Sequence, residues 1–229
     1  MKTVAKLMGR AATSDGRGVL PSIPRKVPIL FSAPMVRAIL AGKKTRTRRI
    51  LNGGGPDFHS LARLLDFKNG VATFGDSIPD DPVPVTIKAR WNVGDTLWVR
   101  ETFGYVTGNG KRVVYRADGD PPPPVLGTPE VNGVQKMTWK PSIFMRPAES
   151  RITLEVTGVR VERLQAITSS EIRAEGIDEK TVADLLHKPL VEDTPLRDLW
   201  RLGWDAINGK TMPWSLSPFV WVLEFARIS

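Results

Sequence analysis

Residues 151–164 read RITLEVTGVRVERL, and their alternation decides what kind of fold this chain can make. Ile152, Leu154 and Val156 alternate with Thr153, Glu155 and Thr157, the period of a strand with one buried face. Gly158 then resets the register for Val159 and Val161, as a bulge does. A second strand closes the sequence, PFVWVLEFARI over 218–228, with Phe219, Trp221, Leu223 and Phe225 on one face. Working outward, 27–31 (VPILF), 84–89, 96–100 (TLWVR) and 112–116 (RVVYR) are shorter strand candidates. Few helices, strands at both ends and a continuous bulged strand lead to an α+β, mainly β domain. The expected architecture is a small closed or half-closed barrel with peripheral helices.

Three helices are readable from their ends. Ser32 caps and Pro34 starts a helix with Val36, Ile39 and Leu40 on its apolar face and Gly42 at its stop. Thr168 to Glu171 (TSSE) is a capping box, and Gly176 follows Glu175 at the helix end. Thr194-Pro195 opens a third, with Leu196, Leu199, Trp200 and Ile207 on one face and Asn208-Gly209 as its stop. Residues 1–27, basic and rich in Gly, Ser and Pro, read as a flexible arm before one domain over 28–229. That domain carries two loop insertions, near 52–84 and 118–140. Leu61, Leu64 and Leu65 suggest a short helix in the first, and the GDPPPP tract in the second reads as a spacer and a candidate protein contact.

Composition narrows the chemistry. The 229 residues include no cysteine and only His59 and His187, which excludes disulfides, zinc-thiolate sites, iron–sulfur clusters, cysteine nucleophiles and a His-rich metal centre. No metal or other cofactor is expected. Neither a membrane span nor a secretory leader is readable, so a soluble, cytoplasmic protein is expected. The net charge of +9 is localised: residues 1–51 hold twelve Lys/Arg against Asp15 alone, while the remainder is close to balanced. Such polarity points to a polyanion, with Lys43, Lys44, Arg46, Arg48 and Arg49 as candidate phosphate contacts. Among the seven tryptophans, Trp98, Trp200 and Trp221 read as core, and Trp139, in the loop-like WKPS, as a candidate base-stacking platform.

The order of segments carries a resemblance: PILFSAPMVRAILAGKKTRTRR (28–49), GDTLWVRETF (94–103), WKPSIFMRPAESRITLEVTGVRVERLQAITSSEIRAEGI (139–177) and WVLEF (221–225). Together they resemble the ASCH (activating signal cointegrator homology) domain, most closely its bacteriophage and prophage members. The resemblance implies a PUA-like β-barrel, binding of RNA or modified nucleosides, and a cleft between the barrel and the helix after its first strand. One branch of the family hydrolyses N4-acetylcytidine, using a Gly, Lys, Thr and Arg at the spacing of Gly42, Lys44, Thr47 and Arg49, with an acid matched by Glu175. By that analogy Thr47 is nucleophile or water-positioner, Lys44 its base and Glu175 the acid/base partner; a ribonuclease and a non-catalytic protein-interaction module are further alternatives.

The chemistry asks for more than the analogy. A threonine hydroxyl needs a neighbouring base, and a lysine serves only if its pKa falls, which the adjacent basic residues favour. Glu175, expected at the negative end of its helix, would favour its protonated form. In a regular strand Lys44 and Thr47 would point to opposite faces, so they share a site only if residues 42–45 form a turn. Where the phage relatives often read Pro-Ser-Ile-His-Met-Pro, this chain has Phe144, Met145 and Arg146, which removes any role for that histidine.

Overall fold

The computed structural model describes residues 24–52, 56–75, 84–108, 110–119, 121–123, 138–187, 189 and 194–229. In chain order they form β1 (Lys26–Leu30), α1 (Ala33–Leu40), β2 (Arg46–Ile50), α2 (Pro56–Leu61), β3 (Arg63–Lys68), β4 (Val71–Gly75), β5 (Val85–Lys88), β6 (Thr96–Arg100), β7 (Phe103–Gly108) and β8 (Gly110–Tyr115). There follow β9 (Thr153–Arg163), α3 (Ser169–Ala174), α4 (Glu179–Leu186), α5 (Leu196–Asn208) and β10 (Phe219–Arg227). Strand outweighs helix, and the class is α+β.

The main sheet runs β1-β6-β9-β10-β2, with β1 and β6 parallel and the other neighbours antiparallel. Phe225 of β10 pairs with Val156 and Glu224 with Gly158, which leaves Thr157 as the extra residue of a bulge on β9. The break in alternation at Gly158 is the sequence trace of that bulge. β10 is buried on both faces. Phe219, Trp221, Leu223 and Phe225 pack with Ile29, Leu97 and Leu154, while Val220 and Val222 pack with Leu164, Ile172, Leu199 and Trp200 of the helical layer. A strand covered on both sides reads as an unbroken apolar run, as FVWVL does.

The closed barrel does not form among the described residues: β1 and β2 are the free edges of an open sheet. A side chain spans the seam instead, Arg49 Nη2 donating to the carbonyl of Leu30 at 2.8 Å. The region 52–84 also differs from the expected loop. After α2, strands β3, β4 and β5 form a three-stranded antiparallel sheet, so Leu64 and Leu65 are strand residues and the short helix ends at Leu61. Asn69 and Gly70, at φ 53° and 74°, make the tight turn between β3 and β4 that an Asn-Gly pair favours. This added sheet belongs to the main core: Phe74 lies 4.9 Å from Phe219 and Phe67 5.9 Å from Trp221, ring centre to ring centre.

Smaller corrections have the same origin in alternation. β6 turns Leu97 and Val99 inward, which leaves Trp98 half-buried under the Arg100 guanidinium rather than in the core. Ile207 is exposed at the end of α5, whose buried face is Leu199, Trp200, Gly203 and Trp204. β7 and α4 were not anticipated from sequence. Residues 24–27 lead into β1 rather than into a tail, while the rest of the expected arm, residues 1–23, and residues 124–137 of the Pro-rich insertion lie outside the described residues.

Candidate functional site

Two glycine-terminated helices meet at the site. After α1 the chain turns at Gly42 (φ 70°), and the amides of Lys43 and Lys44 both donate to the carbonyl of Ala38, at 2.9 and 3.1 Å. Lys44 then forms an isolated bridge to Glu175, and Thr45 N donates to Ala174 O at 2.8 Å before β2 begins at Arg46. Residues 42–45 are therefore the turn that lets Lys44 and Thr47 serve one side. On the facing element, Thr168 and Glu171 form the capping box of α3, and Glu175 caps its other end. Gly176 follows at φ 71°, where a Cβ would lie 2.7 Å from Ala38 Cβ and 2.9 Å from Lys44 Cβ. Only glycine permits both that backbone and that approach.

The charges interlock beneath the cleft. Lys44 Nζ donates to Glu175 Oε2 at 2.7 Å and to the Glu175 carbonyl at 2.9 Å. Arg48 Nη1 donates to Glu175 Oε1 at 3.1 Å, and the same guanidinium pairs with Glu162 and Glu171. The side chains of Lys44, Arg48 and Glu175 are 1%, 0% and 3% exposed. Such a cluster holds only if every charge is matched, because each ion loses its hydration on burial. Burial is the first cause lowering the Lys44 pKa; Glu175 opposes it, and Arg49 and Arg48 reinforce it. The basic neighbours act as the sequence suggests, but behind desolvation.

Thr47, buried, accepts a hydrogen bond at its Oγ1 from Arg49 Nη1 at 2.8 Å, which leaves its own O–H to donate. No hydrogen bond joins Thr47 to Lys44 among the described residues. Arg49 Nη1 also donates to the Arg48 carbonyl at 3.1 Å, and its guanidinium lies 5.0 Å from the centre of the Phe31 ring, with Lys44 Nζ 5.7 Å from the same ring. Unlike Lys44 and Arg48, Arg49 bonds no carboxylate among the described residues.

A cleft of about 710 Å³ opens at the seam between β1 and β2. Thr47, Arg48, Arg49 and Glu175 line it together, as do the rings of Phe31, Trp91, Trp200, Trp204 and Trp221. Lys88 and Arg90, from the end of the added sheet, complete it, so four cations border the cleft against one acid. Of four buried side-chain polar atoms without a hydrogen-bond partner among the described residues, three belong to its lining: Ser32 Oγ, Trp91 Nε1 and Trp200 Nε1. Ser32 begins α1 without capping it through its side chain.

The structure thus brings Lys44, Thr47, Arg48, Arg49 and Glu175 together and places Lys43, Arg46 and Trp139 elsewhere. Lys43 is exposed and 3.4 Å from Asp178, and Arg46 pairs with Glu171 and Glu224 at 3.2 and 3.3 Å. Trp139 is half-buried and does not line the cleft. In the loop that follows Ser142, Phe144 is exposed and Met145 fully buried. Sequence reasoning missed Trp91, Trp204, Lys88 and Arg90, whose convergence depends on the added sheet and α5. Among the described residues no group of His, Asp and Glu could hold a metal, and no helix is long and apolar enough to cross a membrane. No protein-family model, curated protein or solved structure matches the chain.

Proposed function

We propose that this chain is an ASCH-type, PUA-like module whose cleft receives a base of RNA or of a modified nucleoside. The observation that carries the reading is the cleft itself: five aromatic residues and four cations against one acid in its lining. Aromatic walls suit the faces of a base, and a positive surplus suits a polyanion. Calorimetric titration with a short single-stranded RNA and with N4-acetylcytidine tests it. Binding of the RNA is expected to weaken as salt rises, and the nucleoside is expected to compete with it. Absence of heat with both ligands overturns the reading.

A second reading, hydrolysis of an N4-acyl group, is favoured by a separate observation: Lys44, with its pKa lowered by burial, bonds Glu175 beneath the cleft that Thr47 lines. In that chemistry Thr47 Oγ attacks the acyl carbon, its proton passes by Lys44 or Glu175 to the exocyclic nitrogen, which leaves as the amine, and a water then cleaves the acyl-threonine to free acid and the restored hydroxyl; where Thr47 instead orients a water, that water attacks and the acid is released directly. Thr47→Val keeps the volume and removes the hydroxyl. Mass-spectrometric conversion of N4-acetylcytidine to cytidine by the wild type, lost in Thr47→Val, supports the hydrolase. No conversion by the wild type leaves a binding site alone.

A further inference from the structure

Lys88 and Arg90 stand apart from Arg48 and Arg49, the other cations that line the cleft. Both are exposed, both line the cleft, and neither side chain has a hydrogen bond or ion pair among the described residues. Their backbone is nevertheless firmly placed. Ala89 N donates to Gly70 O at 2.7 Å, which ties the segment to the β3–β4 turn. Arg25 Nη2 donates to Arg90 O at 2.8 Å while Arg25 pairs with the buried Asp95, whose Oδ2 also accepts from Asn92 N at 2.9 Å. Between these anchors Trp91 is buried, its ring 6.0 Å from the Arg90 guanidinium and its indole N–H without an acceptor.

Two exposed cations lining one cleft, with no carboxylate paired to either among the described residues and beside an aromatic wall, have the composition of a phosphate subsite next to a base subsite. Arg49 adds to it: three of the five N–H donors of a guanidinium are used, on Thr47, Arg48 and Leu30, so two remain for an anion. Charge-assisted bonds from Arg and Lys to phosphate oxygens are among the stronger polar contacts available. The geometry points to a phosphorylated ligand, a nucleotide whose base enters the aromatic cleft while its phosphoryl group rests on Lys88 and Arg90. The inference builds on the nucleoside reading above and narrows it: the added sheet selects for phosphate. The phosphoryl group is that of a free nucleotide or of an RNA chain, and the chemistry is shared.

The test is calorimetry at low salt with cytidine, cytidine 5′-monophosphate and a hexameric oligocytidylate, on the full chain and on the double variant Lys88→Ala/Arg90→Ala. Both side chains are exposed and unpaired, so the variant is expected to unfold with the wild type. The monophosphate is expected to bind about tenfold or more tighter than cytidine, and the difference between the two ligands to collapse in the variant. Equal affinities in the wild type, or a preference that survives in the variant, overturn the phosphate subsite and leave the nucleoside reading standing. If cytidine, the monophosphate and the hexamer all fail to bind, the nucleoside reading falls and the subsite with it. A hexamer tighter than the monophosphate, with the same loss in the variant, makes the source an RNA chain; a monophosphate that binds alone makes it a free nucleotide.

Discussion

The basic run 43–49 and the pair Lys88 and Arg90 carry the same kind of charge and meet opposite fates. Lys44, Arg46 and Arg48 each find carboxylates, from Glu162, Glu171, Glu175 and Glu224, all contributed by the later part of the chain. Lys88 and Arg90 lie where the sequence is nearly charge-balanced, yet among the described residues neither forms an ion pair with an acid. Charge polarity along a sequence is therefore not polarity in space. Folding neutralises the segment that looks most like a polyanion site and leaves free cations where the sequence shows no excess.

The largest expected effect sharpens that contrast. Arg48→Ala removes the buried cation shared by three carboxylates, of which Glu175 is buried and Glu162 and Glu171 partly so, and is expected to cost about 3–5 kcal/mol, read by denaturant unfolding. Lys88→Ala and Arg90→Ala are each expected to stay within about 0.5 kcal/mol of wild type. A small loss at Arg48 would mean that the pairing does little and would break the comparison. Phe74→Ala, in the added sheet, is expected to cost about 3–5 kcal/mol within a single cooperative transition, because its ring packs on Phe58 and Phe219 of the main core. A separate early transition would detach the wall that carries Lys88 and Arg90.

The two positive-φ glycines beside the buried cluster separate strain from crowding. Gly42→Ala at φ 70° meets nothing within 4 Å and is expected to cost about 1 kcal/mol from backbone strain. Gly176→Ala at φ 71° adds overlap with Ala38 and Lys44, so about 2–3 kcal/mol is expected. Equal losses would show that the helix ends can separate without consequence. Should Gly176→Ala also displace the Lys44–Glu175 pair, thermal unfolding of a Gly176→Ala/Lys44→Met double variant would show less than additive loss.

What the sequence reveals and hides follows the range of the interactions. The bulged β9, the strand β10 and the capped α3 were legible because each is dictated by neighbours in sequence: alternation broken at Gly158, four large apolar residues at alternate positions, a Thr-x-x-Glu box; that β10 is covered on its second face as well was not. The added sheet was misread because Leu61, Leu64 and Leu65 mimic a helical stripe while Asn69-Gly70, a hairpin signal, passed for loop. Lys44, Thr47, Arg49 and Glu175 were found through spacing shared with a family. Trp91, Trp200, Lys88 and Arg90 were not grouped, because what joins them is the packing of β5 and α5 around one seam, and no local pattern encodes it.

His59 supplies the third case in the comparison, a buried titratable group with no countercharge at all. Its Nδ1 accepts from the amide of Phe219 at 3.0 Å, its Nε2 has no partner, and Phe58 and Phe219 pack around the ring. Burial is the first cause lowering its pKa, and the nearby Arg163 adds to it. Protonation therefore favours the unfolded chain, where a histidine titrates near about 6.5. The stability this group contributes is full above that pH and is lost as the pH falls below it. The denaturant midpoint is expected to be lower at pH 5.5 than at pH 7.5, and the difference to shrink in His59→Gln, whose amide oxygen can still accept from Phe219. A difference that persists unchanged in His59→Gln would place the titration elsewhere and leave the buried imidazole indifferent to charge, unlike the matched cluster across the sheet.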